Sequence, residues 1–342
     1  MLTEEHYDAW DDFVLSQERT GSIYATARYL DILCRAAGGS FSVVAVHDGD
    51  SFVTGFGLYR RRVEVRDVIS TRMLLYYNGV VLLDSLLALE GSQSRRLEAL
   101  DALHGFLERQ PVDAIILHCR HGYQDFRPFL EERGWHVEPT YTIVVPTTDS
   151  SQLWSKFDKN ARRLVRRAEN LGCTIEPDND FDPFYHAHEE VHRRKGAPLY
   201  LPKEAFRRFV DELIAARLGV IFTARLADGS PAASQLVLLG KHPCSHTACS
   251  GSYAAHLETG ATYLLRWRGF VELEARGYAM NDLTNASRGS VTKFKEQFGG
   301  TLKMNMELRW RPQKSNSASR PNMSLYRTIR TRVGRLVRRQ LP

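Results

Sequence analysis

The sequence predicts a mixed α/β protein built from one unit used twice, and three observations lead there. Apolar residues recur with helical spacing in some stretches and with strand alternation in others, and the two kinds interleave along the chain. The order of these elements in the first half returns in the second. Landmarks also keep step: the turns Asp48-Gly49 and Asp228-Gly229 lie 180 residues apart, and Gly134 and Gly299, which close two short helices, lie 165 apart. A chain of 342 residues suits two domains of ordinary size.

In order, residues 7–37 read as two helices, the second over 25–37 and closed by Gly38-Gly39. Strand patterns follow at 42–46 and 53–59, with a further β-rich segment at 73–83. A helix is expected at 94–109, a strand at 112–118, a short helix at 125–133 and an extended run at 136–145. The run Pro146-Thr147-Thr148-Asp149-Ser150-Ser151 breaks all periodicity, which sets domains at 1–146 and 147–311. The second half opens with one amphipathic helix over 153–171, capped by Asp149 or Ser150 and ended by Gly172. Then come helix 203–217, strands 220–226, 233–239 and 246–252, helix 261–276, strand 278–284, a short helix around Phe294 and a last strand over 301–310.

Composition narrows the class. Hydrophobic residues make up 43% and charged residues 25%, as in soluble globular proteins. A net charge of +6 favours anionic partners such as RNA, phosphate groups or an anionic membrane. The five cysteines are odd in number and scattered without a CxxC, which argues against a disulfide framework or a thiolate zinc site and fits a reducing compartment. The first residues show no basic n-region or apolar h-region, and the most apolar run, 80–89, is far too short to span a bilayer. A cytoplasmic protein is expected. Residues 312–342 change character: a Ser/Asn/Pro-rich linker precedes a basic amphipathic stretch at 325–341, suited to peripheral contact with a membrane or with nucleic acid.

Four stretches bear on chemistry. On the helix 153–171, Lys156, Lys159, Arg162, Arg163, Arg166 and Arg167 crowd one side with few carboxylates to pair at i,i+4, so they repel one another unless an anion is near. The helix around Phe294 places Lys295 one step from the apolar pair Phe294 and Phe298, at the edge of a cleft. The first copy has Phe129-Leu130 at the matching place, so the lysine is peculiar to the second half. His188-Glu189-Glu190-Val191-His192 spells HExxH, but no third ligand pattern follows and Arg193-Arg194-Lys195 would oppose a dication, so no metal is expected. The loop 251–260 runs from a strand to the start of a helix, a place where backbone N–H groups can receive a phosphate. Serine-nucleophile elbows, Walker A loops and dinucleotide fingerprints are absent.

Several segments together resemble the Fem-type aminoacyltransferases and their relatives with two tandem GNAT-like (acetyltransferase-like) domains. They are the Trp154…Lys159-Asn160-Ala161-Arg162-Arg163…Gly172 helix, Arg193-Arg194-Lys195-Gly196-Ala197-Pro198, Asp228-Gly229-Ser230-Pro231-Ala232-Ala233, Tyr278…Asp282-Leu283-Thr284 and Phe294-Lys295-Glu296-Gln297-Phe298-Gly299. The likeness covers about residues 10–311, and in the first half Tyr76-Tyr77-Asn78-Gly79 matches best. It implies two tandem GNAT-like domains, each a mixed β-sheet flanked by helices. It also implies transfer of an activated acyl group to an amine without a bound cofactor. In the Fem branch the co-substrate is aminoacyl-tRNA and the acceptor a peptidoglycan-precursor amine; in the related branch the co-substrate is acyl-CoA, its pyrophosphate falling to the loop before Ala261. The family lysine maps onto Lys295 and its arginine onto Arg194. Two departures are a missing coiled-coil arm and Leu33 and Arg35 near the place of an early acceptor-binding lysine.

The chemistry then assigns an oxyanion stabiliser, Lys295, and a proton acceptor, Asp282, with the donor's ribose hydroxyl as the other acceptor. Arg194, Lys195, Phe294, Tyr253 and Asn285 form the expected substrate-binding set, and the basic helix is expected to meet tRNA phosphates. Acyl-CoA dependence is the runner-up, and a non-catalytic RNA- or membrane-binding protein on a transferase fold is a third reading.

Overall fold

The computed structural model describes residues 1–88, 93–123, 125–130 and 134–312. The first half contains α1 (Tyr7–Ser16), α2 (Ala27–Ala37), β1 (Ser40–Asp48), β2 (Ser51–Val63), β3 (Arg66–Ile69), β4 (Val81–Leu82), α3 (Asp84–Ala88), α4 (Gln93–Glu108), β5 (Ala114–Cys119), α5 (Arg127–Leu130) and β6 (Trp135–Pro146). The second half contains α6 (Ser150–Lys156), α7 (Lys159–Asn170), β7 (Thr174–Glu176), α8 (Phe181–Lys195), α9 (Lys203–Ala215), β8 (Gly219–Arg225), β9 (Pro231–Leu238) and β10 (Cys244–Ser252). It ends with α10 (Ala261–Ala275), β11 (Met280–Asp282), α11 (Ser290–Glu296) and β12 (Thr301–Trp310). The architecture is mixed α/β, as the alternating periodicities require.

All twelve strands join one sheet in the order β1-β2-β3-β5-β12-β6-β11-β10-β9-β8-β7, with β4 beside β2. Among the described residues only two neighbouring pairs are parallel, β3 with β5 and β10 with β11. Each is linked through a long helix, α4 in the first half and α10 in the second, so the duplication shows as one crossover unit per half. The sheet does not divide at residue 146. β12 lies between β5 and β6, both from the first half, and β6 pairs on its other edge with β11. The final strand is thus stitched into the earlier unit.

Both faces of the second half are covered. On one, α8 and α9 pack with α2 around Phe184, Phe206, Phe209, Leu236 and Tyr29. On the other, α6, α7, α10 and α11 enclose Phe157, Val165, Val220, Phe222, Leu265, Phe270 and Phe298. The first half has its own core around Phe56, Leu100, Leu103, Ile115, Leu117 and Phe129.

Three expectations need correction. The helix over 153–171 is two helices, because Phe157 is extended (φ −62°, ψ 142°) and Asp158 caps α7 by accepting from the Asn160 N–H at 2.7 Å. The break lets Phe157 bury its ring against Trp267, Phe270 and Phe298 while the Asp158 N–H donates to the Gln297 carbonyl. Residues 73–83 are mostly irregular, with only Val81–Leu82 in a strand, since Leu74 has φ 74° and Asn78 spends its hydrogen bonds on the edge of β5. α8 and the short β7 were not foreseen as elements, and the basic stretch at 325–341 lies outside the described residues.

Phe298 has no exposed surface and touches the rings of Phe157, Tyr263, Phe270 and Phe294. Phe298→Ala should therefore cost about 3–5 kcal/mol of stability, measured by urea denaturation.

Candidate active site

The two parallel strand pairs part company in the same way. β10 is paired with β11 only from Cys244 to His246, then continues to Ser252 on β9 alone, leaving a splay on its β11 side. β3 and β5 pair only at Val68–Ala114 and Ile69–Ile115, yet their wedge is filled. Asn78 donates to the Ile116 carbonyl at 3.0 Å and accepts from the His118 N–H at 2.8 Å, and the Gly79 N–H donates to the His118 carbonyl. Residue 79 must be glycine here, since a Cβ would sit 2.5 Å from the Cys119 sulfur. The first wedge is closed by its own chain. The second is walled by functional groups.

Beyond β11 the backbone turns at Thr284 and Asn285, with φ of 50° and 46°. Two consecutive non-glycine residues in the left-handed region, one of them β-branched, are uncommon and strained. What holds them is Asp282, whose carboxylate accepts the Thr284 N–H at 2.8 Å, together with the Thr284 hydroxyl, which donates to the Thr247 carbonyl. The turn presents the carbonyls of Thr284 and Asn285 to one donor, the Lys295 Nζ, at 2.8 Å in the case of Asn285. Lys295 is 9% exposed, far more enclosed than a cleft-edge position suggests. Burial first, then the Arg266 guanidinium, push its pKa down to about 7, with Asp282 opposing and Lys195 adding to the fall.

Asp282 is itself completely buried. It accepts from the Tyr77 hydroxyl at 2.8 Å and from Thr142, and the His246 Nδ1 lies 3.7 Å away. Burial works to raise its pKa, but His246, the Thr142 hydroxyl, Arg120 and the Tyr77 hydroxyl outweigh that and hold the carboxyl below its ordinary range. So placed, it is a fixed anion that shapes the Thr284–Asn285 turn. As the expected proton acceptor it is replaced, because it faces no open space and its oxygens are already engaged.

The other expected residues divide. The Arg194 guanidinium donates to the Ser252 carbonyl at 2.9 Å, at the end of β10 beyond its pairing with β11, and Lys195 beside it acts electrostatically on Lys295. The side chain of Asn285 is exposed, and its contribution is the carbonyl. Phe294 is half-buried and packs on Tyr263 and Phe298, centroids 5.0 and 4.9 Å away. The Tyr253 hydroxyl donates to the Pro183 carbonyl at 3.1 Å, and its ring lines a surface groove with His186, Glu189, Glu190 and Arg193. On the α6–α7 surface, Lys156 donates to Gln152, Arg163 to Asn160 and Arg162 to the Ser155 carbonyl, and Arg166 lies over the Trp154 ring. Lys156 also acts electrostatically on the Asp149 carboxylate, whereas Lys159, Arg162, Arg163, Arg166 and Arg167 form no ion pair with a carboxylate among the described residues.

Three residues at the wedge escaped sequence reasoning. The Tyr76 hydroxyl, from the first half, donates to the Ala248 carbonyl on the unpaired part of β10 at 3.1 Å. Tyr77 bridges from the same loop to Asp282, and Arg266 reaches in from α10. The Tyr76-Tyr77-Asn78-Gly79 match was the only sequence signal for the first two. The HExxH pair is structural: His188 is 1% exposed between Phe184, Tyr200 and Phe206, and the His192 Nδ1 bonds the Pro198 carbonyl at 2.8 Å. Among the described residues no group of three His, Cys, Asp or Glu could hold a metal ion.

The α10 N-terminus is likewise occupied. The Ala261 N–H donates to the Thr259 hydroxyl at 3.1 Å, a 3-10 turn (Ala254–Thr259) fills the preceding loop, and Gly260 presses so close that a Cβ would lie 2.2 Å from the Leu164 carbonyl.

Residues 155–296 match the family model for the acetyltransferase (GNAT) domain, a span that runs from the last turn of α6 to the end of α11. Among solved structures the chain is similar to FemX (14% identity, TM-score 0.69, covering 90% of this chain and 96% of that one). It is also similar to L-PGS from Bacillus licheniformis (13%, 0.53, 92% and 97%) and to a tandem GNAT protein from the clavulanic acid biosynthesis pathway (11%, 0.53, 92% and 97%). At these identities the likeness is one of fold. A comparison with curated proteins finds no match.

Burial pushes the pKa of His188 down to about 3. The unfolded chain takes up that proton from about pH 6.5 downward while the folded chain does not, so stability falls as pH drops across this window. His188→Phe should flatten that decline by up to about 1.4 kcal/mol per pH unit, measured as denaturant stability between pH 4 and 6.5.

Proposed function

We propose that this GNAT-type acyltransferase, which has the Fem-like tandem fold, forms an amide by moving an aminoacyl group from aminoacyl-tRNA to an amine. The observation that carries the reading is the α6–α7 surface within the family-matched segment, where, among the described residues, Lys159, Arg162, Arg163, Arg166 and Arg167 stand without an ion-pairing carboxylate and Lys156 adds a further charge. Phosphates relieve such repulsion, and a folded RNA supplies several at once. The occupied N-terminus of α10 argues in the same direction, against a donor whose pyrophosphate would need it.

In the step itself the acceptor amine attacks the ester carbonyl and an N–C bond forms. Negative charge collects on the carbonyl oxygen, and the Lys295 ammonium, already fixed by two backbone carbonyls, stabilises it with little reorganisation, at a value of about 3 kcal/mol. The ester C–O bond then breaks, its electron pair leaves with the ribose oxygen, and the proton shed by the amine goes to that oxygen. Asp282 takes no part in the proton transfer and keeps the Lys295 carbonyl pair in register. Arg194 and Lys195 offer positive charge to the acceptor at the mouth of the wedge.

The amine nitrogen of Lys295 must be protonated to act this way, so turnover should fall as pH rises through its pKa near 7, a value that a bound anion would raise. Lys295→Met is expected to lower kcat by about 100-fold or more while the unfolding midpoint is kept. Equal turnover in variant and parent would remove Lys295 from the reaction. Arg163→Glu with Arg167→Glu should weaken tRNA binding and reduce the slope of log affinity against log salt by about one per lost contact, read by filter binding. Purified protein offered labelled aminoacyl-tRNA and, separately, acyl-CoAs decides the donor: transfer from the thioester alone overturns the tRNA reading.

A further inference from the structure

Arg266 is a cation where none is needed for packing. It sits on α10 with 5% of its surface exposed, and no carboxylate pairs with it among the described residues. Its Nη1 donates to the Gln235 Oε1 at 2.7 Å and its Nη2 to the Ser250 hydroxyl at 2.9 Å. Gln235 and Ser250 are cross-strand partners on β9 and β10, so the guanidinium is braced by one rung of the sheet. Room for the brace is kept by Gly269, whose Cβ would lie 2.5 Å from the Gln235 amide nitrogen. A guanidinium buried against neutral acceptors alone is a costly way to fill space, and an apolar side chain of similar volume would do better.

Its position suggests why the charge is there. Ser250 belongs to the part of β10 that has left β11, so the guanidinium stands beside that splay. Tyr263, one turn earlier on α10, packs on Phe294, the neighbour of Lys295. Both cations therefore come from the same side of the sheet, on two helices locked by one aromatic contact. We propose that Arg266 is a positioning residue of this transfer site, its braced guanidinium and the Lys295 ammonium forming one wall of positive charge that meets the negative charge building on an acyl carbonyl in the wedge. The proposal rests on the acyl-transfer reading above and adds a residue to it.

Besides burial, the groups that act on Lys295 are Arg266 from α10 and Lys195 from α8, which disfavour its protonated form, and Asp282 from β11, which favours it. Removing the Arg266 charge while keeping the fold should thus let Lys295 hold its proton to higher pH.

The test uses the full chain, labelled with 15N-lysine, with the Lys295 signal assigned by its loss in Lys295→Met. In Arg266→Gln the Lys295 titration should move up by about one pH unit, and Arg266→Lys should restore it. The falling limb of the pH–rate profile should move with it, and kcat should drop about tenfold with KM little changed. A Lys295 titration unmoved in folded Arg266→Gln overturns the proposal, and so does a moved titration with an unmoved rate profile. Absence of turnover in the parent protein with either donor class counts instead against the acyl-transfer reading, because the titration does not depend on it.

Discussion

The site depends on one arrangement: an ammonium taken out of water and held by two backbone carbonyls. Lys295 is enclosed, and its nitrogen is fixed by Thr284 and Asn285. Those carbonyls point inward only because the backbone there adopts a left-handed conformation that Thr and Asn do not choose freely. Asp282 pins the turn, and Tyr77, Thr142 and His246 pin Asp282. The chain of support therefore runs from the first half, through a buried carboxylate, to a single nitrogen. A buried ammonium with this history is strained in charge as well as in backbone, a combination that structures keep where charge develops during a reaction.

The duplication explains why only one half is equipped. Each half has a parallel strand pair joined through a long helix, and each pair splays. In the first half the splay is closed by Asn78 and Gly79, and the residue matching Lys295 is Leu130, 64% exposed. The same loop that closes the first wedge sends Tyr76 and Tyr77 across to the second, where they reach Ala248 and Asp282. One loop thus serves both units, closing the splay of the first and bonding to the second. The return of β12 between β5 and β6 ties the two together with backbone hydrogen bonds.

Much of the frame was legible beforehand. Periodicity, turn residues and helix-ending glycines located most helices and strands to within a few residues, since these signals act over one or two turns of chain. The unpaired cations of α7 and the singular lysine of α11 were also visible, because charge is a property of the side chain itself. The break at Phe157 was not, since what breaks the helix is the demand of a distant ring cluster and a bond to Gln297. The surroundings of Asp282 are hidden for a related reason: whether a carboxylate accepts protons or anchors a turn depends on what folding places around it.

The sequence by itself determined that this is a duplicated, basic, mixed α/β chain with a lysine in its second unit that its first unit lacks. The tertiary structure alone decided that Tyr76, Tyr77 and Arg266 gather around the splay beside β10, and that His188 belongs to an aromatic core. The physical reason is distance along the chain. Propensity and charge belong to residues and their near neighbours, whereas burial, hydrogen-bond satisfaction and electrostatic coupling arise between residues such as Tyr77 and Asp282 that only folding brings together.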